Sequence, residues 1–368
     1  MTSLTGQILT FDGWRLGEIN FDSTILEINS ITSPKNPPYI VPGFIDVHVH
    51  GGGGFDTMDG IEGIRGMAAF HVKHGTTSLL ATTITNPWKN VISALENAKT
   101  VMLEPSAGAQ ILGVHLEGPF VSPDRLGAQP NFVVDPNPDL VQEVLEYGVI
   151  RVVTIAPEQP FALEACKMFA RAGVRVSIGH SVATTQQVET ALEIVQNADG
   201  VSSGTHLFNA MGGLEGRNPG IVGAILANTQ TWAELILDGH HVHFSSFKTA
   251  FNAKPERLLL ITDAMRAAGM IDGAYDLGGQ MVQVSNGTAK LSNGSLAGSL
   301  LTMDQAVRNA VNAGLNLETA INLASNHPAR YLGLTKKGRL EPGNDADIVV
   351  LDDNLEIQAV FVAGVQVV

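Results

Sequence analysis

From residue 40 onward the chain alternates short β-rich runs with longer amphipathic ones, and this alternation limits the fold more than any other feature. Eight runs read as strands: "YIVPGFIDVHV", "TTSLLATTI", "ILGVHLEG", "IRVVTIAPE", "VRVSIGHS", "GVSSGTHLF", "WAELILDG" and "RLLLITDA". Helical runs such as "EGIRGMAAFHVKHG", "WKNVISALENAKTVML" and "TTQQVETALEIVQNA" separate them. Strands alternating with helices of this length build βαβ units and a parallel sheet. Eight units predict an α/β fold of the closed (β/α)₈ barrel type. The chain's 368 residues leave room for a small companion domain. Residues 1–42 and 335–368 have another texture, with short alternating strands and turn residues. Neither piece alone has enough strands to bury a core, so both are expected to join in one small β-sandwich. The barrel then occupies 43–334, interrupted by the hairpin-like "GGQMVQVSNGTAKLSNGSLAG".

In a parallel barrel the reactive groups emerge at the C-terminal ends of strands. Polar residues collect there: His48 and His50 on strand 1, Glu117 on strand 3, His180 on strand 5, His206 on strand 6 and Asp263 on strand 8. Residues i and i+2 of a strand share a face, so His48 and His50 can grip one ion. The glycines Gly51–Gly54 that follow are expected to let the backbone turn sharply and pass close to that ion, where a Cβ would crowd it. A phosphate-cradling loop is the rival, but "HGGGGF" matches neither G-x-G-x-x-G nor the P-loop. Imidazoles with a carboxylate suit zinc, while iron, cobalt or manganese accept the same donors. Asp263 ends an apolar run, a setting that suits proton transfer; capping the next helix is its structural alternative. His71, His74 and His327 read as structural, and His115 as a core or supporting residue on the face of Glu117. Of His240, His241 and His243, after strand 7, at least one is expected to face a ligand.

Lys and Arg total 22 against 36 Asp and Glu, a net charge of −14 that opposes general affinity for nucleic acid or anionic membranes. An anionic small ligand would need a local cationic pocket. Cys166 is the only cysteine, so no intramolecular disulfide forms, and it reads as a buried small hydrophobe. There is no signal-peptide pattern at the N-terminus and no run of 18 apolar residues. A cytoplasmic protein is expected.

"PGFIDVHVHG", "HLEGPF", "GHS", "THLFNAM", "GRNPG", "DGHHV", "ITDAM", "LAGSLLTMDQAV" and the closing "GRLEPGNDADIVVLD" together resemble the N-acetylglucosamine-6-phosphate deacetylases of the amidohydrolase superfamily. The resemblance implies hydrolysis of that sugar phosphate to glucosamine 6-phosphate and acetate, with Glu117, His180 and His206 holding the principal metal and Asp263 as acid/base. His48 and His50 match a position that varies in the family, which leaves one or two ions per subunit open. Asn209, Ala210 and Arg217 are implied to contact the sugar phosphate. His241 is implied to reach the phosphate bound by a neighbouring subunit, hence a homodimer. Gln129 stands in "RLGAQPNF" where many members carry a histidine facing the substrate's acetyl carbonyl; a glutamine amide still donates but cannot be charged. The alternatives are N-acetylgalactosamine 6-phosphate as substrate and another amidase of the superfamily. A hydantoinase-like enzyme is disfavoured because strand 4 ends "VVTIAPE", without a lysine.

Overall fold

The computed structural model describes residues 1–31, 37–104 and 107–368. Its central element is an eight-stranded parallel sheet: β1 (Phe44–Val49), β2 (Thr76–Thr82), β3 (Gln110–Glu117), β4 (Ile150–Ile155), β5 (Arg175–Ile178), β6 (Ser202–Gly204), β7 (Trp232–Ile236) and β8 (Leu258–Ile261), paired in chain order. A helix follows each strand, from Ile61–His71 after β1 to Met303–Asn312 after β8. Strands β1, β2, β7 and β8 are buried along their whole length, because helices cover the outer face while side chains fill the interior. β8 reads as a continuous apolar run, LLLI, whereas β1, β2 and β7 bury polar side chains as well.

Strands β1 and β8 close the ring by a few specific bonds. Asp263 N donates to His48 O at 2.9 Å and His50 N to Ala264 O at 2.9 Å. The Asp46 carboxylate, fully buried in β1, accepts from Thr262 Oγ1 at 2.5 Å and from the His48 amide at 3.2 Å. The two histidines of β1 and the aspartate after β8 therefore share one seam.

Both termini enter a second sheet of seven strands, ordered Val365–Gln366, Ile357–Val362, Ile348–Leu351, Tyr39–Pro42, Thr2–Thr10, Gly13–Phe21 and Ile25–Ser30. The Phe21 and Phe361 rings meet edge to face, 5.2 Å between centroids. Their strands lie four places apart, which in a flat sheet means about 19 Å at roughly 4.8 Å per strand. The sheet thus rolls over upon itself and encloses Ile8, Ile19, Ile25, Ile40 and Ile348, so one continuous sheet does the work of the expected sandwich.

After β8 an antiparallel three-stranded unit, Gly273–Leu277, Gln280–Ser285 and Thr288–Lys290, packs Leu277, Val282 and Val284 against Ile84 and Met265. Gln280 Nε2 donates to Ala128 O at 2.7 Å, tying this unit to the loop after β3 at the barrel mouth. Among the described residues no helix is long and apolar enough to cross a membrane.

The glycines after His50 make the expected sharp turn, with φ 63° at Gly53 and 92° at Gly54, but what crowds Gly51 and Gly52 is protein. A Cβ on Gly51 would lie 2.4 Å from Phe55 O and 2.8 Å from Arg266 N, and one on Gly52 would lie 2.5 Å from the Phe70 ring. What excludes a side chain is the close approach of the loop to the helix Ile61–His71 and to the Arg266 backbone.

Candidate active site

The seam and the mouth bring the predicted donors into one cluster. Glu117, the last residue of β3, points Oε1 at His180 Nε2 (3.2 Å) and His206 Nε2 (3.1 Å), and the two imidazole nitrogens lie 3.0 Å apart. His50 Nε2 stands 3.2 Å from Glu117 Oε2 and 3.3 Å from Asp263 Oδ1; His48 Nε2 stands 3.4 Å and 3.6 Å from Glu117 Oε1 and Asp263 Oδ1. His180, His206 and Asp263 each sit two residues beyond the end of their strand with left-handed backbone, φ 47°, 28° and 48°. Such conformations cost of order 1–3 kcal/mol each and gather at functional positions.

Hydrogen bonds fix which nitrogen faces the cluster. His180 Nδ1 lies 3.0 Å from the Arg125 carbonyl, which can only accept. The proton of the neutral ring is therefore on Nδ1, leaving the Nε2 lone pair toward Glu117 and His206. His48 Nδ1 lies 3.0 Å from Glu234 Oε2 and is oriented by the same logic. The Nε2 lone pairs of His48 and His180 thus converge with the carboxylate oxygens of Glu117 and Asp263, a geometry that suits a divalent cation.

The electrostatics express the same demand for positive charge. Burial pulls the His50 pKa down, but Asp263 and Glu117 more than offset it and raise it to about 9. Burial would raise the Glu117 carboxyl, yet His48 and His180 beside it hold it well below the usual carboxylate range. Among the described residues three groups have their donors close enough for an ion, Glu117/His180/His206, His48/His50/Asp263 and His48/His115/Glu234; only the first two face the mouth, since both nitrogens of His115 are engaged.

A cavity of about 330 Å³ opens over the cluster, lined among others by His50, Gln129, Asn209, Ala210, His241 and Asp263. Its apolar wall comes from Ile84, Phe208, Leu277 and Leu296, and its volume is in the range of small-molecule sites, about 300–1,000 Å³. Gln129 is placed at the site, but its amide is already engaged: Nε2 donates to Glu117 Oε2 at 2.6 Å, and Oε1 accepts from Thr85 N at 2.6 Å. His241 Nδ1 pairs with Asp238 Oδ2 at 2.7 Å, which leaves its other nitrogen for the cavity. Burial works against a protonated His241, but Asp238 outweighs this and raises its pKa. His240 and His243 are exposed; Nδ1 of His243 caps the helix Phe244–Ala253. Arg217 lies on an exposed stretch and does not line the cavity in this conformation.

The remaining histidines have structural partners. His71 bonds Gly51 O, and burial pushes its pKa down to about 4. His327 bonds Leu258 O. His115 uses both nitrogens, on Val47 O (3.0 Å) and Thr154 Oγ1 (2.8 Å), so it packs against the His48 ring without a free lone pair. Sequence reasoning passed over Glu234, although a lone carboxylate inside the apolar run "WAELIL" was a readable signal.

The family model described as Amidohydrolase family matches residues 39–367. The chain belongs to the amidohydrolase family. An N-acetylglucosamine-6-phosphate deacetylase of Lysinibacillus sphaericus is 43% identical to this amidohydrolase over 332 residues, 89% of this chain and 84% of the relative. An N-acetylgalactosamine-6-phosphate deacetylase of Escherichia coli O157:H7 is 39% identical over 377 residues, 97% of each chain. Among solved structures, an aspartate-to-alanine mutant of the Mycobacterium smegmatis N-acetyl-D-glucosamine-6-phosphate deacetylase, in complex with N-acetyl-D-glucosamine-6-phosphate, superposes with a TM-score of 0.92. It is 36% identical, and the match covers 100% of this chain and 99% of that one. Family membership and the donor clusters together support a divalent metal as the cofactor.

Proposed function

We propose that this amidohydrolase removes the acetyl group from N-acetylglucosamine 6-phosphate, with zinc as the metal and Asp263 as acid/base. The observation that carries the reading is the convergence of Glu117, His180 and His206 beneath a cavity that Asp263 also lines. Glu117, His180 and His206 are assigned to the principal ion, and His48 and His50 to a second. The ion, when bound, lowers the pKa of a coordinated water from about 15.7 toward about 7 and polarises the acyl carbonyl.

Asp263 accepts the proton of the attacking water as the new C–O bond forms. It then gives that proton to the amide nitrogen, because an amine cannot leave as an anion. The C–N bond breaks, and acetate and the free amine result. Gln129, held by Glu117 and Thr85, presents the remainder of its amide edge to the acetyl group as a hydrogen-bond donor. Asn209, Ala210 and Arg217 are assigned to the sugar phosphate, whose dianion the planar Arg217 guanidinium would meet as a fork. His241 is assigned to the phosphate bound by a second copy of the chain, which makes the working form a homodimer. On this reading 43–334 is the catalytic unit, 1–42 and 335–368 form the small supporting domain, and the enzyme works in the cytoplasm.

The galacto sugar is the second reading, favoured by the relative from Escherichia coli O157:H7 that aligns over 97% of both chains. Acetate release from the two sugar phosphates, measured side by side on protein of assayed metal content, tests both. Faster turnover of the gluco sugar supports the first reading, and faster turnover of the galacto sugar replaces it with the second. Release from neither by metal-loaded protein overturns the substrate assignment.

A further inference from the structure

Glu234 lies in the middle of β7, fully buried, in a strand whose other side chains are apolar. An ionisable group in that place is costly unless its bonds return the cost. Oε2 lies 3.0 Å from His48 Nδ1 and also accepts from the His206 amide at 3.3 Å, while Oε1 has no hydrogen-bond partner among the described residues. Such a half-satisfied buried carboxylate is not explained by packing.

Its effect on His48 is specific. A carboxylate only accepts, so it draws the proton of the neutral ring onto Nδ1. The lone pair then resides on Nε2, which has no hydrogen-bond partner and faces Glu117 Oε1 and Asp263 Oδ1 at 3.4 and 3.6 Å. With the opposite tautomer, Nε2–H would point into the donor set and block it. His115, edge-on to His48 at 4.5 Å between centroids, cannot substitute, since both its nitrogens are engaged.

We propose that Glu234 is a positioning residue, which fixes the His48 tautomer and thereby sets the affinity of the His48/His50 position for a divalent cation. The inference rests on the reading that these donors hold metal. Groups that orient a ligand in this way typically contribute 10- to 100-fold in metal affinity. Because the same oxygen holds the His206 amide, Glu234 also links the strand-1 pair to the other donor set.

The test measures zinc stoichiometry and affinity, by chelator competition after reloading the apoprotein, in wild type, E234M, E234Q, H48A and the double variant H48A/E234M. The Co²⁺ absorption spectrum reports the ligand field independently of activity. Expected is a second ion in wild type whose affinity falls about 10- to 100-fold in E234M, with a smaller change at the Glu117/His180/His206 position, where only the bond to the His206 amide is lost. E234Q, whose amide oxygen can still accept from His48 and His206, retains that affinity within about tenfold by the same scale. Adding E234M to H48A has no further effect on binding at the His48/His50 position, because there the carboxylate acts through His48.

Wild-type affinity in E234M overturns the inference, as does a single ion in wild type or an undiminished E234M effect in the H48A background. If E234M does not fold, E234Q decides: retention supports the inference, and loss as complete as in H48A overturns it. Failure of wild type to bind any metal would instead sink the proposed function, a distinct outcome.

Discussion

The sharpest consequence of the site geometry concerns Asp263→Asn. Asp263 has a left-handed backbone, φ 48°, a conformation asparagine adopts nearly as readily as aspartate, so the exchange adds little strain. The backbone is also clamped: Asp263 N donates to His48 O at 2.9 Å, and Asp263 O accepts from Ser299 N at 2.7 Å. Neither bond involves the side chain. Asp263 Oδ1 lies 3.3 Å from His50 Nε2, and an asparagine oxygen can occupy the same point. What the substitution removes is the charge and the ability to carry a proton. Proton transfer by a positioned group contributes about 10²–10⁴ in rate, equivalent to about 3–5.5 kcal/mol of barrier. The loss is expected in kcat, with KM little changed, because binding groups elsewhere in the cavity are intact. Acetate release at saturating substrate measures it, and metal analysis of the same sample must show the Glu117/His180/His206 position still filled. Residual kcat within tenfold of wild type would refute the acid/base assignment. Loss of metal from that position would show that Asp263 acts chiefly by holding the ion.

Three further outcomes follow from other parts of the molecule. Arg217→Ala is expected to raise KM for a sugar phosphate by roughly ten- to a hundredfold, the worth of one charged hydrogen-bond contact of about 1.5–3 kcal/mol, with a smaller change in kcat; an unaltered KM would remove Arg217 from the phosphate site. Asp46→Ala leaves the seam donors of Thr262 and His48 unpaired, and should lower unfolding free energy in urea by about 1–3 kcal/mol per orphaned group; an unchanged midpoint would show that water replaces the carboxylate. Asp304 is held by His74 and Arg308; burial raises its pKa, but the His74 and Thr302 hydrogen bonds outweigh this and lower it from 3.8 to about 2. A depressed carboxyl pKa stabilises the fold above the unfolded value near 3.8 and ceases to do so as pH falls through about 2. Wild type should therefore exceed Asp304→Asn by up to about 2 kcal/mol at neutral pH, with the gap closing below pH 3.8; a pH-independent gap would refute the coupling.

The barrel was legible because its cause is local. Parallel strands covered on both sides are mostly apolar, and the helices between them repeat at 3.6 residues, so "RLLLITDA" and "TTQQVETALEIVQNA" carry their own assignment. The donor residues were legible for a related reason: in this fold a polar side chain ending an apolar strand has nowhere to point but the mouth, which marks His180, His206 and Asp263. The glycines after His50 were less transparent, because what crowds them is Phe70 on the next helix and Arg266 after β8. Gln129 shows the same limit: its sequence position suggested an open donor, while the fold commits it to Glu117 and Thr85.

Periodicity and residue type by themselves determined the eight strand–helix units, the chemistry of the donor set and the acidic surface, since each depends on a residue and its near neighbours. Only the tertiary structure decided how the ring closes between β1 and β8 and how the terminal sheet rolls until Phe21 meets Phe361. It also decided which nitrogen of His48 faces the centre, because Glu234, which sets it, lies 186 residues away in sequence. A tautomer is chosen by the acceptor opposite the ring, and that acceptor is supplied by a strand which sequence distance alone does not bring near.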